Sequence, residues 1–141
     1  MAGKPNFLFL FSDQHRGDWM PYDAETKARL GVSELELSMP VIRSLMDRGT
    51  AFTCAVSPSP VCAPARACLA SGHRYKNCRV PSNRVNYDAN LHTFYGLLRD
   101  SGYFVGGCGK FDLNKGDLTW DDEALQRLGF TRTEDSEGKM D

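Results

Sequence analysis

Asn6-Phe7-Leu8-Phe9-Leu10-Phe11-Ser12 is the stretch from which the fold class follows. Its apolar residues are consecutive, with none of the alternation of a half-exposed strand, and it runs directly into Asp13-Gln14. A run of this length and kind predicts a strand buried on both faces, as in parallel sheets. Downstream, helical and extended patterns alternate. Ser38-Met39-Pro40 predicts a helix start, with Ser38 as cap and the proline in the first turn. Val41, Ile42, Leu45 and Met46 line one face of that helix and Gly49 ends it. Thr50 to Val56 predicts the next strand, broken by Ser57-Pro58-Ser59-Pro60. Cys62 to Ala70 predicts a helix that tolerates Pro64 in its first turn. Leu91, Phe94, Tyr95 and Leu98 recur at helical spacing, with Gly102 at the end. Tyr103 to Cys108 predicts a third strand. Trp120 to Leu128 predicts a helix, with Asp121, Asp122 and Glu123 at its positive end and Gly129 beyond it. Residues 13–37 read as a long loop with some helix, and 73–90 as loop. This alternation predicts an α/β fold: a mostly parallel sheet sandwiched by helices, with right-handed crossovers. Ligands in such folds lie beyond the carboxyl ends of the strands. Asp13-Gln14, the loop at Cys62, and Lys110 all fall at such ends, so the topology predicts that they converge.

The 141 residues suffice for one domain with one core. Hydrophobic residues make up 41% and charged residues 25%, ordinary for a globular protein. A net charge of −1 carries no global bias toward nucleic acid or an anionic membrane, and neither is expected as a partner. A small anionic substrate feels only the local field, so the same number says nothing about it. Phe7 to Phe11 is too short for the apolar core of a signal peptide or for a membrane span, and the expectation is a cytoplasmic chain. The five cysteines are odd in number and lack Cys-x-x-Cys spacing, which argues against a disulfide framework, a zinc site or a redox module. Free thiols in a reducing compartment are expected. Nothing in the sequence sets the oligomeric state.

Cys62-Ala63-Pro64-Ala65-Arg66, followed by Ser71-Gly72, resembles the signature of the type I, formylglycine-dependent sulfatases of the alkaline phosphatase superfamily, Cys-x-Pro-x-Arg-x-x-x-x-Thr/Ser-Gly. By itself the pentapeptide reads equally well as a buried cysteine before a helix. The extended motif, with Asp-Gln upstream and Gly-Lys downstream, favours the sulfatase reading. The resemblance implies hydrolysis of sulfate monoesters on a sulfatase-like α/β scaffold. It implies that a maturation enzyme oxidises Cys62 to formylglycine, whose hydrated aldehyde attacks sulfur. A helix N-terminus suits such a step, because free N–H groups and positive potential welcome an anion. Arg66, one turn on, can aim its guanidinium at the modified side chain or at a sulfate oxygen.

Phe11-Ser12-Asp13-Gln14 resembles the first metal-binding segment of the superfamily, in the Asp-Gln form of choline sulfatases and phosphonate monoester hydrolases. Asp13, Gln14 and the oxygen of a modified Cys62 then form a ligand set for a hard cation, Ca²⁺ first and Mg²⁺ or Mn²⁺ as alternatives. The bland reading of Asp13 is a turn cap. Gly102-Tyr103-Phe104-Val105-Gly106-Gly107-Cys108-Gly109-Lys110-Phe111-Asp112 resembles the family segment whose lysine contacts the sulfate, which places Lys110 on the transition-state charge. Asp112 stands where the family usually has a histidine, and it is a candidate for pairing with Lys110, for contact with substrate, or for an acid role. Asn83 lies at the offset of a substrate-contacting asparagine in phosphonate monoester hydrolases. Residues 1–141 then correspond to the N-terminal part of a sulfatase catalytic domain, and the family's second metal segment, an Asp followed by Asn or His, is not among them. Two alternatives stay open: a phosphonate monoester or phosphodiester hydrolase on the same scaffold, and an inactive truncated remnant.

Overall fold

A computed structural model describes residues 3–114 and 122–136. The chain divides into two compact units, residues 1–56 and 57–141.

In the first unit, α1 (Ala24–Leu30) forms because both ends are capped. The Asp23 carboxylate accepts from the Thr26 N–H at 2.8 Å, and Gly31 turns left-handed at φ 71° to close the last turn. That hydrogen bond holds the Asp23 carboxyl below the usual carboxylate range. α2 (Pro40–Arg48) starts at the predicted proline, but its N-cap is Met39, not Ser38. Proline occupies the first helical position, so the cap is the residue immediately before it. Ile42, Leu45 and Met46 line a groove with Met20, Tyr22 and Phe52, whereas Val41 points away and is 71% exposed.

Two predicted strands are not formed. Asn6–Ser12 belongs to neither strand of the sheet found among the described residues, and Phe7 to Phe11 are exposed. Thr50–Val56 is irregular, with a turn at Thr53-Cys54. An apolar period supplies side chains for a sheet to bury, but a strand exists only where a neighbour completes its ladder.

The second unit carries the core. α3 (Cys62–Ser71) buries Ala63, Pro64, Ala67, Cys68 and Ala70, and such small side chains let neighbouring elements come close. It packs against α4 (Tyr75–Cys78), a short helix inside the segment read as loop, and against α5 (Phe94–Asp100). α5 begins later than the apolar spacing predicts, because Thr93 caps it by accepting from the Gly96 N–H at 2.9 Å. β1 (Gly106–Gly109) and β2 (Arg132–Asp135) form a two-stranded parallel sheet, with Gly106 opposite Arg132 and Cys108 opposite Glu134. α6 (Asp122–Arg127) lies between them in sequence and packs on β2, which makes a β-α-β unit. Trp120 and Asp121, the predicted start of that helix, lie outside the described residues.

β1 starts three residues later than Tyr103, because the Tyr103 N–H goes back to the Leu98 carbonyl and the Val105 N–H goes to the Thr131 hydroxyl. At Gly107 a Cβ would lie 2.8 Å from the rings of Phe111 and Phe130, which would have to shift to admit it. β2 has no apolar alternation. Its strand state comes from the ladder to β1 and from a Thr133 hydroxyl that donates to Asp122 at 3.0 Å. Among the described residues no helix is long and apolar enough to cross a membrane.

Gly129 is the tightest point of the unit. Its φ is +114°, and a Cβ there would meet the backbone nitrogen of Gly96 at 2.2 Å. Thr93 donates its hydroxyl to the Leu128 carbonyl across the same contact. Gly129→Ala is expected to destabilise the chain by about 2–4 kcal/mol, from backbone strain and overpacking together. Urea unfolding of the two proteins side by side measures this, and equal midpoints would show that α5 does not press on this turn.

Candidate functional site

Cys62 is the first residue of α3, preceded by Val61 in extended conformation. No side chain of the capping residue itself closes this end. The capping comes from a distance: Asn83 Oδ1 accepts from the Ala63 N–H at 3.1 Å and from the Cys62 thiol at 3.3 Å. Pro64 has no N–H to satisfy, and the Ala65 N–H closes the first helical bond to the Val61 carbonyl at 3.0 Å. Upstream, the buried Ser59 hydroxyl accepts from the Val61 N–H at 3.2 Å and holds the entry turn. Ser59 was not singled out by the sequence. Its signal, a serine between two prolines, is common to many turns.

Arg66 sits one turn along α3 and is 9% exposed. Its guanidinium Nη1 donates to the Lys110 carbonyl at 2.6 Å. Lys110 follows Gly109, the last residue of β1, and so lies just past the carboxyl end of that strand. The Lys110 ammonium is 3.4 Å from Asp112 Oδ2, with the lysine side chain 17% exposed and the aspartate side chain 0% exposed. Asp112 has φ 53°, a left-handed conformation that Asp tolerates better than most residues. The next residue is also anchored, since the Tyr87 N–H donates to the Leu113 carbonyl at 2.8 Å.

The second unit therefore brings together five of the residues singled out from sequence: Asn83 on Cys62, and Arg66 on the backbone of Lys110, whose side chain meets Asp112. Cys62 and Arg66 are placed by α3, Asn83 by the segment after α4, and Lys110 and Asp112 by the end of β1. Asp13 and Gln14 form an exposed bend in the first unit, and Gln14 is left-handed at φ 55°. Beside them Arg16 pairs with Asp18 at 2.6 Å and lies over the Trp19 ring. Among the described residues no group of three or more His, Cys, Asp or Glu side chains is placed to hold a metal ion. His92 is exposed and precedes α5 rather than lying on it.

The thiols behind the site are of another kind. Cys68 and Cys78 are buried neighbours, and the Cys78 thiol donates to the Tyr75 carbonyl at 3.2 Å. Burial first, and Cys78 second, push the Cys68 thiol up to about 11 from its ordinary 9.0. Tyr95, half-buried near Arg66, is pushed up to about 12 by desolvation, which the guanidinium partly offsets.

The sequence has counterparts among known proteins. The family model Sulfatase matches residues 5–137. Choline-sulfatase of Rhizobium meliloti (strain 1021) is 32% identical over 109 residues, 77% of this chain and 20% of that protein. Arylsulfatase K of Canis lupus familiaris is 28% identical over 114 residues, 81% of this chain and 20% of that protein. An uncharacterized sulfatase of Escherichia coli (strain K12) is 33% identical over 112 residues, 79% of this chain and 20% of that protein. The chain spans about a fifth of the length of the curated relatives it matches.

Two outcomes are expected from this geometry. Asn83→Ala removes the distant cap and is expected to cost about 1 kcal/mol in urea unfolding, while Cys62 becomes faster to alkylate with iodoacetamide. Asn83→Asp, which keeps the acceptor, is expected to recover most of the stability. An alanine variant as stable as the parent would mean that the cap is idle. The second outcome concerns alkaline pH. The folded chain keeps the Cys68 proton that the unfolded chain loses near 9, so this contribution to stability is complete below pH 9 and disappears as pH rises to about 11. Tyr95 acts in the same direction from pH 10 to about 12. Urea midpoints measured at pH 8 and pH 10 are expected to differ, and Cys68→Ala is expected to shrink the difference.

Proposed function

Since the chain belongs to the sulfatase family and corresponds to the N-terminal portion of its members, we propose that it supplies the nucleophile loop of an enzyme that hydrolyses sulfate monoesters, with Cys62 as the formylglycine precursor. The observation that carries this reading is the placing of Cys62 at the N-terminus of α3, with the Arg66–Lys110 contact one turn along the same helix. The end of a ten-residue helix presents positive potential to an anion. Arg66 and Lys110 add two cations from two different elements, positioned before a substrate arrives. Such preorganised charge stabilises a transition state more than water can, because it needs no reorientation. Asn83 holds the side chain of residue 62 at the helix mouth.

The donor chemistry of the first unit fits a hard divalent cation. Asp13 offers a carboxylate and Gln14 an amide carbonyl, both exposed at one bend. Ca²⁺ suits oxygen donors of this kind, with Mg²⁺ or Mn²⁺ as alternatives. When bound, the cation would polarise the ester and lower the pKa of the oxygen it holds. A formylglycine at position 62 would supply the attacking oxygen. The substrate is a sulfate ester, and the protein partner is the maturation enzyme that oxidises Cys62.

The test is to express the chain with a formylglycine-generating enzyme and weigh the peptide that contains Cys62. Loss of the thiol and gain of a hydrazine-reactive aldehyde is expected, with no change in Cys62→Ala. A thiol left intact under conditions that mature other sulfatases would remove this reading. On aryl sulfate esters, Arg66→Ala and Lys110→Ala are each expected to lower kcat/KM by about 100-fold or more. Faster turnover of aryl phosphonate than of aryl sulfate esters would reassign the substrate to the phosphonates.

A further inference from the structure

Asp112 is the most enclosed charged side chain around the Arg66–Lys110 contact. Its side chain is 0% exposed, whereas Lys110 keeps 17% of its own in solvent. The pair therefore has a direction: the cation faces the solvent and the anion lies behind it. The backbone contributes to this. At φ 53° the chain turns left-handed at Asp112, so that its carboxylate comes within 3.4 Å of the ammonium two residues earlier. A non-glycine residue in that conformation costs free energy unless its side chain makes a compensating contact. Two further anchors hold the segment: Arg66 on the Lys110 carbonyl at 2.6 Å, and Tyr87 on the Leu113 carbonyl at 2.8 Å. The Lys110 main chain is gripped from α3 and its side chain from Asp112, and the two grips come from different directions.

We propose that Asp112 is a positioning residue that holds the Lys110 ammonium ionised and in one place, so that the lysine, rather than the aspartate, meets the anionic group of a ligand. The consequence for turnover rests on the sulfate-ester reading; the pairing itself does not. A fully buried carboxylate reaches a ligand only through the lysine in front of it. Burial disfavours a charged ammonium, and a carboxylate at this distance offsets that cost. Asp112 faces the Lys110 ammonium, Arg66 lies on the Lys110 carbonyl, and Tyr95 is near Arg66. Arg66, a cation on the Lys110 carbonyl, disfavours the ammonium, whereas the Asp112 carboxylate favours it. By its field alone, a nearby negative charge weakens anion binding, so its deletion should help. The positioning role and the field role thus predict opposite signs.

The experiment reads Lys110 directly and needs no turnover, so it stands apart from any failure to hydrolyse sulfate esters. The full chain is labelled with trace acetic anhydride across a pH series, and acetylation of Lys110 is compared by mass spectrometry with that of the exposed Lys76 in the same molecule. In the parent, Lys110 is expected to label about tenfold more slowly than Lys76 near neutral pH, one pKa unit being a factor of ten. Asp112→Asn keeps the size and the left-handed tolerance but removes the charge. It is expected to raise the Lys110/Lys76 ratio by about tenfold and to move the pH midpoint of Lys110 labelling downward. Asp112→Gly, which relaxes the backbone and is expected to fold, should do the same. Equal labelling of Lys110 and Lys76 in the parent would overturn the proposal. So would an unchanged ratio in both variants, or a change confined to the glycine variant, which would assign Asp112 to the backbone turn alone.

Discussion

One buried guanidinium ties α3 to the sheet. Arg66 is carried by α3, yet its hydrogen bond ends on the carbonyl of Lys110, just past β1. A charged donor on a neutral acceptor, largely out of water, is among the stronger single contacts available to a chain. Its geometry also constrains other parts of the molecule. With the Lys110 carbonyl fixed, the left-handed turn at Asp112 and the Tyr87–Leu113 bond have a defined start. With Arg66 fixed, the register of α3 is set, and with it the direction in which Cys62 emerges.

Small residues make that contact reachable. Alanines 63, 67 and 70 on α3, and glycines 96, 107 and 129 elsewhere in the unit, let backbones and rings approach closely. At Gly129 the approach is to the backbone of Gly96, and at Gly107 it is to two phenyl rings. In neither place would a methyl group fit without displacement. The compactness of the second unit depends on side chains that are missing as much as on those that are present.

The site divides into what is local and what is assembled. Cys62 at a helix start and Pro64 in the first turn are local events, and both were legible from residue types; the left-handed end at Gly72 is equally local but entered the sequence reading only as part of the motif. Asn83 was legible as a candidate only by its offset. Its contact with Cys62 and Ala63 depends on a path through α4 that carries no periodicity, so the capping role could not be read. Lys110 and Asp112 were legible as a possible pair, but the inward burial of the acid and the outward lean of the base depend on packing. The sequence left Cys68 and Cys78 between a packing role and a neutral surface one, and their burial decides for packing.

Sequence alone determined the starts and stops of α2, α3 and α5 to within a few residues, the family motif, and the residue types around Cys62. These depend on caps, prolines, glycines and helical spacing, which act over one or two turns of chain. Only the tertiary structure decided which extended segments pair. Asn6–Ser12 has the stronger strand composition and is in neither strand of the described sheet, whereas the charged Arg132–Asp135 is β2 because β1 completes its ladder. It also decided which polar atoms meet: Asn83 with the helix end, Arg66 with a backbone carbonyl 44 residues away, and Asp112 with Lys110. A helix satisfies its backbone within itself and is written in nearby residues. A strand, a distant cap or a buried ion pair needs a partner from elsewhere in the chain, and the identity of that partner is set by packing.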